Sequence, residues 1–403
     1  MNNLVNSIKT MSESFFDEIK TYRRHLHQHP ELSFKEYHTA DFIENKLREI
    51  GIGNVQRIAK TGVTFLLVGS SEGKNIALRA DIDALPIFEK SQVDYKSKYD
   101  GIMHACGHDV HTSCLLGVAK ILYQLKSEFK GSVKFIFQPG EEKAPGGASL
   151  LIKEGILKDP TPKTILGQHV MPFIEVGKVG FRPGKYMASS DEIYLTIEGK
   201  GGHAAMPEKF VDPVIITSHI LIALQQIISR KASPKMPSVL SFGDISSKGS
   251  TNVIPDFVNV SGTFRTFDEI WRAKALVLIT KMAEGIAASM GAKCKVRIEK
   301  GYPYLFNDPA YTERNISAAQ EYLGIENVVN LDLWMASEDF SFYSQNVEGC
   351  FYRLGTRNET KSIVSGVHTP DFNIDEDAIK TVSYTHLRAH ETGRNLVCRL
   401  LLE

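Results

Sequence analysis

At 403 residues this chain passes the roughly 250–300 residues beyond which a single hydrophobic core stops growing, so two domains are expected. Hydrophobic residues at 42% and charged residues at 23% fit an ordinary globular enzyme, and 47 Lys+Arg against 47 Asp+Glu leave a formal charge of zero. That balance offers no general attraction to nucleic acid or to an anionic membrane.

Near the N-terminus Glu13, Asp17 and Glu18 break any apolar run, so no secretory signal is expected. No apolar stretch is expected to approach the ~18 residues of a membrane span. Five cysteines (Cys106, Cys114, Cys294, Cys350, Cys398) stand at scattered spacings, which argues against a disulfide framework. These features predict a cytoplasmic protein.

In chain order, residues 12–50 are predicted helical with a break near His29-Pro30, and the second half carries an apolar stripe (Ala40, Phe42, Ile43, Leu47, Ile50) that stops at Gly51. Apolar runs at 63–68, 76–78, 133–137 and 164–167 predict buried strands, and residues 110–125 have helical spacing. Strands alternating with helices predict an α/β fold, a mostly parallel sheet flanked by helices. Polar residues follow the strands directly: Asp81 and Asp83, then Glu141 and Glu142, then His169. In open α/β sheets ligands gather at the carboxyl ends of the strands, so these groups are expected on one rim.

Between 190 and 297 the texture changes to a β-α-β-β-α-β order, with strands near 193–197, 239–245, 257–267 and 294–298 and helices at 212–230 and 269–290. That order predicts a ferredoxin-like α+β domain inserted into the first. The first domain is then discontinuous, 1–189 and 298–382. Residues 375–380 read as the opening of a last helix, whereas 383–403 has no amphipathic period and reads as a non-native tail, set aside with His386, His390 and Cys398.

The chemistry concentrates in Met103-His104-Ala105-Cys106-Gly107-His108-Asp109-Val110-His111, where a thiol and three imidazoles crowd together. Cysteine sulfur and histidine nitrogen are zinc-type ligands, and Gly107 permits a tight turn that presents Cys106 and His108 to one ion. A helix starting near Asp109 would favour a Cys106 thiolate through its positive end. Glu141 and Glu142 follow Pro139-Gly140, and their natural division is one glutamate on metal and the other facing bound water as general base. His169 and His368 alone are as compatible with structural roles. They gain weight because Cys106, His108 and Glu142 fall one or two ligands short of enclosing a pair of ions. The run 23–31 has metal-like composition but lies on a helix end before Pro30, and no ligation is expected there.

Arg79-Ala80-Asp81-Ile82-Asp83-Ala84-Leu85-Pro86, the 104–111 segment, Gln138-Pro139-Gly140-Glu141-Glu142, Gly201-Gly202-His203-Ala204-Ala205-Met206-Pro207, Asn252-Val253-Ile254-Pro255 and Ser337-Glu338-Asp339-Phe340 together carry a resemblance. In that order, across residues 15–380, the chain resembles the amidohydrolase branch of the aminoacylase and carboxypeptidase G2 metallopeptidase family. That branch includes hippurate hydrolase, N-acetyldiaminopimelate deacetylase and the indole-acetyl-amino-acid hydrolases.

The resemblance implies a zinc-peptidase-like catalytic domain whose insert serves as lid and dimerisation domain. It implies two divalent metal ions per subunit, with zinc, manganese, cobalt and nickel all open, bridged by Cys106 and held by His108, Glu142, His169 and His368. Glu141 would be the general base, and Asp81 and Asp83 would support the ligands from behind. In the insert, His203 would reach the scissile carbonyl, often from the neighbouring subunit of a homodimer. A donor is needed there for the oxyanion. Asn252 is a candidate substrate-binding residue, and Arg265 fits either a clamp on a substrate carboxylate or a surface ion pair. Gly201-Gly202 fits a plain hairpin turn as well.

The implied reaction is hydrolysis of an N-acyl amino acid to a carboxylate and a free amino acid by metal-activated water. The alternatives are a dipeptidase or small carboxypeptidase on the same scaffold, a catalytically degenerate metal-binding protein, and a thiol hydrolase with Cys106 as nucleophile.

Overall fold

The structure is a computed structural model that describes residues 2–381, with side chains described from residue 6. The segment 383–403 lies outside the described residues. Two compact units are formed: Met1–Gly184 with Phe306–Asp332 and the chain from Asp339 onward, and Lys185–Leu305 with Leu333–Glu338.

Helices α1 (Asn2–Ser14), α2 (Phe16–Gln28) and α3 (Tyr37–Ile50) lead into strands β1 (Gln56–Ile58), β2 (Gly62–Val68) and β3 (Asn75–Asp81). There follow α4 (His108–Gln124), β4 (Ser132–Gln138), α5 (Gly147–Lys153), β5 (Thr164–Glu175) and β6 (Val179–Phe181). After β7 (Gly184–Met187) come β8 (Asp191–Glu198), β9 (Gly202–His203), α6 (Pro213–Gln226), β10 (Ser238–Ser247), β11 (Val253–Ile254), β12 (Phe257–Thr266), α7 (Glu269–Ser289) and β13 (Lys293–Lys300). The chain returns through β14 (Leu305–Asn307), α8 (Pro309–Leu323), β15 (Val328–Asn330), α9 (Ser341–Ser344) and β16 (Glu348–Arg357).

The first unit is built on an eight-stranded sheet in the order β1-β2-β4-β3-β5-β16-β6-β15. Its centre is parallel, β4 on β3, β3 on β5 and β5 on β16, while β1, β2 and β6 join antiparallel. Strand β4 is buried along its whole length and α4 is almost wholly buried, as a two-sided parallel sheet requires. Register does the functional work: Asp81 pairs with Gln138 at the end of β3, and Arg79 pairs with Gly167, two residues before His169. The rim expected from the sequence is thereby formed.

Strand β3 runs beyond the apolar run that ended at residue 78, because a charged Arg79 is held inside the sheet. Its guanidinium donates to Gln138 Oε1 at 2.9 Å, Asp81 Oδ2 at 2.6 Å and Asp339 Oδ1 at 2.8 Å. A buried cation with that many acceptors continues the strand where hydropathy alone would end it.

The second unit carries an antiparallel sheet in the order β10-β12-β8-β13, the ferredoxin-like arrangement of β8-α6-β10-β12-α7-β13. Its core joins Ile193, Leu195 and Ile197 to Ile216, Ile220 and Leu224 of α6 and to Ala275, Ile279 and Ala283 of α7. The boundaries fall at 184/185 and 305/306 rather than at 189/190 and 297/298, and 333–338 rejoins this unit. Backbone pairing is the reason: Trp334 donates to the Tyr186 carbonyl at 2.9 Å, and Ala188 donates to the Trp334 carbonyl at 3.1 Å.

One expectation needs correction. The helical stretch Pro213–Lys231, 19 residues, is long and apolar enough by length and composition to cross a membrane, with a third of it buried inside the protein. Inside it the polar residues Ser218, Gln225 and Gln226 break the apolar run without breaking its average, and the charged Arg230 and Lys231 stand only at its end. Packing of Ile216, Ile220, Leu224 and Ile227 into the core of the second unit accounts for the apolar face. Cys106, Cys114, Cys294 and Cys350 are free thiols, as the scattered spacing led one to expect.

Candidate metal centre

Gly107 stands at φ +83, and a Cβ there would come within 2.6 Å of a Val170 methyl, so only glycine closes this turn. The turn delivers Cys106, and α4 starts at once with His108. Cys106 Sγ lies 3.2 Å from His169 Nε2 and 3.2 Å from His368 Nε2. His169 donates its Nδ1 proton to the Val170 carbonyl at 2.8 Å, which leaves the Nε2 lone pair facing the sulfur. His368 adopts φ +62, a left-handed backbone rare for histidine, while its amide donates to the Ala105 carbonyl at 2.7 Å. Strain of this kind collects at functional sites, where surrounding structure enforces it.

The glutamate pair arrives on a second glycine turn. Gly140 stands at φ +60, and a Cβ would meet the Phe34 ring at 2.2 Å. Buried Glu36 holds this loop by accepting the amides of Gly140 and Phe34, both at 2.8 Å, and the Thr61 hydroxyl at 2.7 Å. The Glu142 amide donates to Asp83 Oδ2 at 3.0 Å. Glu142 Oε1 lies 3.1 Å from His368 Nε2 and 3.9 Å from His108 Nε2. Glu141 is buried, with the Asp339 amide 3.5 Å from its Oε1.

Burial, then the charge of Asp83, push Glu36 up from the ordinary 4.5 to about 7. An acid whose pKa is higher folded than unfolded holds more protons when folded. Stability from this group is therefore greatest below about pH 4.5 and falls as pH climbs to about 7. Glu36→Gln is expected to flatten that slope in thermal unfolding of the metal-stripped protein, and an unchanged slope would assign it elsewhere.

The ligand candidates are aimed from behind. His108 Nδ1 bonds Asp83 Oδ1 at 3.1 Å, which turns Nε2 inward. His111 bonds Asp81 through Nδ1 at 2.5 Å and accepts the Val170 amide on Nε2 at 2.9 Å, fixing β5 beside His169. Asp339 ties Arg79, Gln138 and the Ala148 amide together beside the glutamate loop. Such outer contacts set ring orientation and ligand basicity. The sequence reading gave no role to His111, Arg79, Gln138, Asp339 or Glu36. A charged Arg79 amid apolar strand residues was the visible signal for the first of these buried networks.

Three of the groups whose ligand atoms lie within 4.8 Å of one another hold the ligand candidates: Cys106, His108 and His169; Cys106, Glu142 and His368; His108, Glu141 and Glu142. Cys106 belongs to two of them. His108 Nε2 is buried without a hydrogen-bond partner, which suits an atom reserved for a cation. Burial pulls the His108 imidazole down, but Asp81 and Asp83 outweigh it and push it up to about 10. Protein alone thus fills the acidic centre with a proton, where a ligated metal would take its place. The expected Cys106 thiolate is reversed in the protein alone: burial, then Glu142 and Glu141, raise the thiol well above its ordinary range. A helix dipole does not overcome desolvation beside carboxylates; a bound cation would invert that balance.

On the second unit, β9 pairs with β11, so His203 faces Val253 and the Ala204 amide donates to the Asn252 carbonyl at 3.0 Å. His203 and Asn252 are therefore neighbours on one exposed ribbon, and Gly201-Gly202 leads into this long-range pairing rather than a plain hairpin. His203 Nδ1 accepts the Ala205 amide at 3.1 Å, leaving Nε2 to carry the proton. Arg265 is half-buried and donates to the Met335 carbonyl at 3.1 Å. Among the described residues no carboxylate stands within ion-pair distance of it.

Fold and centre define a zinc-peptidase-like α/β hydrolase. Residues 77–392 match the model of peptidase family M20/M25/M40, and the chain belongs to that family. The match extends past residue 383, where the sequence reading placed a non-native tail. The chain is 42% identical to the N-acetyl-L-cysteine deacetylase of Bacillus subtilis over 362 residues, 90% of this chain and 85% of that protein. It is 36% identical to thermostable carboxypeptidase 2 of Saccharolobus solfataricus over 386 residues, 95% of this chain and 97% of that one. The crystal structure of a Bacillus subtilis protein described as a dinuclear metal-binding peptidase of the M20 family superposes with TM-score 0.80 at 34% identity, covering 95% and 99% of the two chains. This protein is a metal-dependent amide-bond hydrolase.

Proposed function

We propose that the protein hydrolyses N-acyl amino acids, of acetyl or benzoyl type, to a carboxylate and a free amino acid. The observation that carries this reading is the sharing of Cys106 Sγ between two clusters of ligand atoms, with Glu141 beside the His108 and Glu142 pair. Cys106, His108, Glu142, His169 and His368 are the proposed holders of two divalent cations. Mixed sulfur, nitrogen and oxygen donors suit zinc and its neighbours manganese, cobalt and nickel better than calcium. Cations bound there supply Lewis-acid polarisation and lower the pKa of coordinated water toward ~7. Glu141 takes the proton from the attacking water and passes it to the leaving amine. Asp81 and Asp83 keep His111 and His108 aimed. His203 is proposed as donor to the oxyanion, with Asn252 and Arg265 binding substrate. A cytoplasmic homodimer through the second unit belongs to this reading, supported by the exposed Ile215 and Ile222 on α6.

Carboxypeptidase action is the second reading, favoured by the 36% identity to a carboxypeptidase along nearly the whole chain. A screen of N-acetyl, N-benzoyl and N-succinyl amino acids against dipeptides, with metal analysis of the same sample, separates the two. N-acyl amino acids are expected to give the higher kcat/KM. Faster dipeptide turnover would replace the first reading with the second.

A further inference from the structure

The run 23–31, metal-like in composition, is not absorbed by the proposed ligand set, yet two of its residues reach the residue next to His108. We infer that Arg23 and His27 on α2 are positioning residues for the metal-holding turn: through Asp109 they fix the rotation of the first turn of α4, and with it the aim of His108. The inference rests on the reading that His108 and Cys106 hold metal.

Asp109 Oδ2 lies 2.8 Å from Arg23 Nε and 2.8 Å from His27 Nδ1. His27 Nε2 reaches Glu89 Oε1 at 3.1 Å, and Glu89 is in turn fixed by the Ser97 amide at 2.7 Å. The Arg23 guanidinium lies 4.7 Å over the Tyr95 ring and extends to Asn373 and Glu376 at 3.4 Å. Arg23, His27 and Asp109 are at most 1% exposed. Water therefore cannot substitute for a lost partner without rearrangement.

Residues 108 and 109 are consecutive on one helix, so their side chains diverge by about 100° and share one backbone. A clamp on Asp109 fixes His108, whose Nε2 has no hydrogen-bond partner of its own. Ligand geometry tolerates only about 0.5 Å or 10–20° of error, which a loosened first turn would exceed. An ion pair placed solely for stability has no need to end on the residue adjoining a ligand, nor to continue through His27 to a second carboxylate.

The test is cobalt titration of the purified full chain, read by thiolate-to-cobalt charge-transfer absorption. His27→Gln and Arg23→Lys are compared with Lys134→Met. That last change disturbs a lysine donating to the carbonyls of Ile156, Lys158 and Pro160 and touches nothing in the turn. About tenfold weaker cobalt binding with an altered band is expected for His27→Gln and Arg23→Lys. Lys134→Met should keep wild-type affinity and band even where its melting temperature is the lower. Folded His27→Gln and Arg23→Lys with wild-type affinity and band overturn the inference. If Arg23→Lys does not fold, His27→Gln decides alone, since it leaves the Arg23–Asp109 pair in place. A wild-type protein without a thiolate-to-cobalt band overturns the metal reading itself, an outcome distinct from failure of the variants alone.

Discussion

Glu141→Gln is expected to lower kcat on an N-acyl amino acid by about 10²–10⁴-fold while metal content stays at the wild-type level. The change is isosteric, so packing around a buried side chain is preserved. What is lost is the capacity to accept a proton from water and hand it on. The geometry separates the two glutamates: Glu142 shares a cluster with Cys106 and His368, whereas no cluster that contains Glu141 includes either of those two among the described residues. Steady-state kinetics beside metal analysis of one preparation checks the division. Near wild-type kcat with full metal would remove Glu141 from the role of base, and loss of metal would make it a ligand.

Cys106→Ala is expected to cost more than the roughly 10–100-fold in metal affinity that follows removal of an outer support of a ligand. The sulfur stands 3.2 Å from imidazoles on both sides, so its removal weakens both clusters at once. Activity should fall to background with the metal. Chelator treatment of the wild-type protein distinguishes this from a thiol nucleophile, which would survive the chelator and still be lost in Cys106→Ala. Full activity in chelator, followed by its loss in the variant, would sink the metal reading in favour of the thiol hydrolase.

Much of this was legible in the chain itself. Runs such as 133–137 predicted their strands because burial on both faces demands continuous apolar residues, and the period-2 pattern at 193–197 predicted β8 for the opposite reason. Cys106-Gly107-His108 was legible because a glycine between two ligand types permits the tight turn that presents both to one ion. Boundaries were less so, since 333–338 joins the second unit through backbone bonds that no side chain announces.

The ligand types and the positions most able to carry them were determined by sequence alone, since donor chemistry belongs to the residue. Convergence of Cys106, His108, Glu142, His169 and His368 was decided by the tertiary fold: parallel register ends β3 and β4 together and brings His169 of the longer β5 level with them, and two left-handed glycines bend the following turns inward. Tertiary structure also decided the Cys106 thiol and the roles of Asp109 and Glu36. Burial and the charges that surround a group, not its place in the chain, set the free energy of its ionised form.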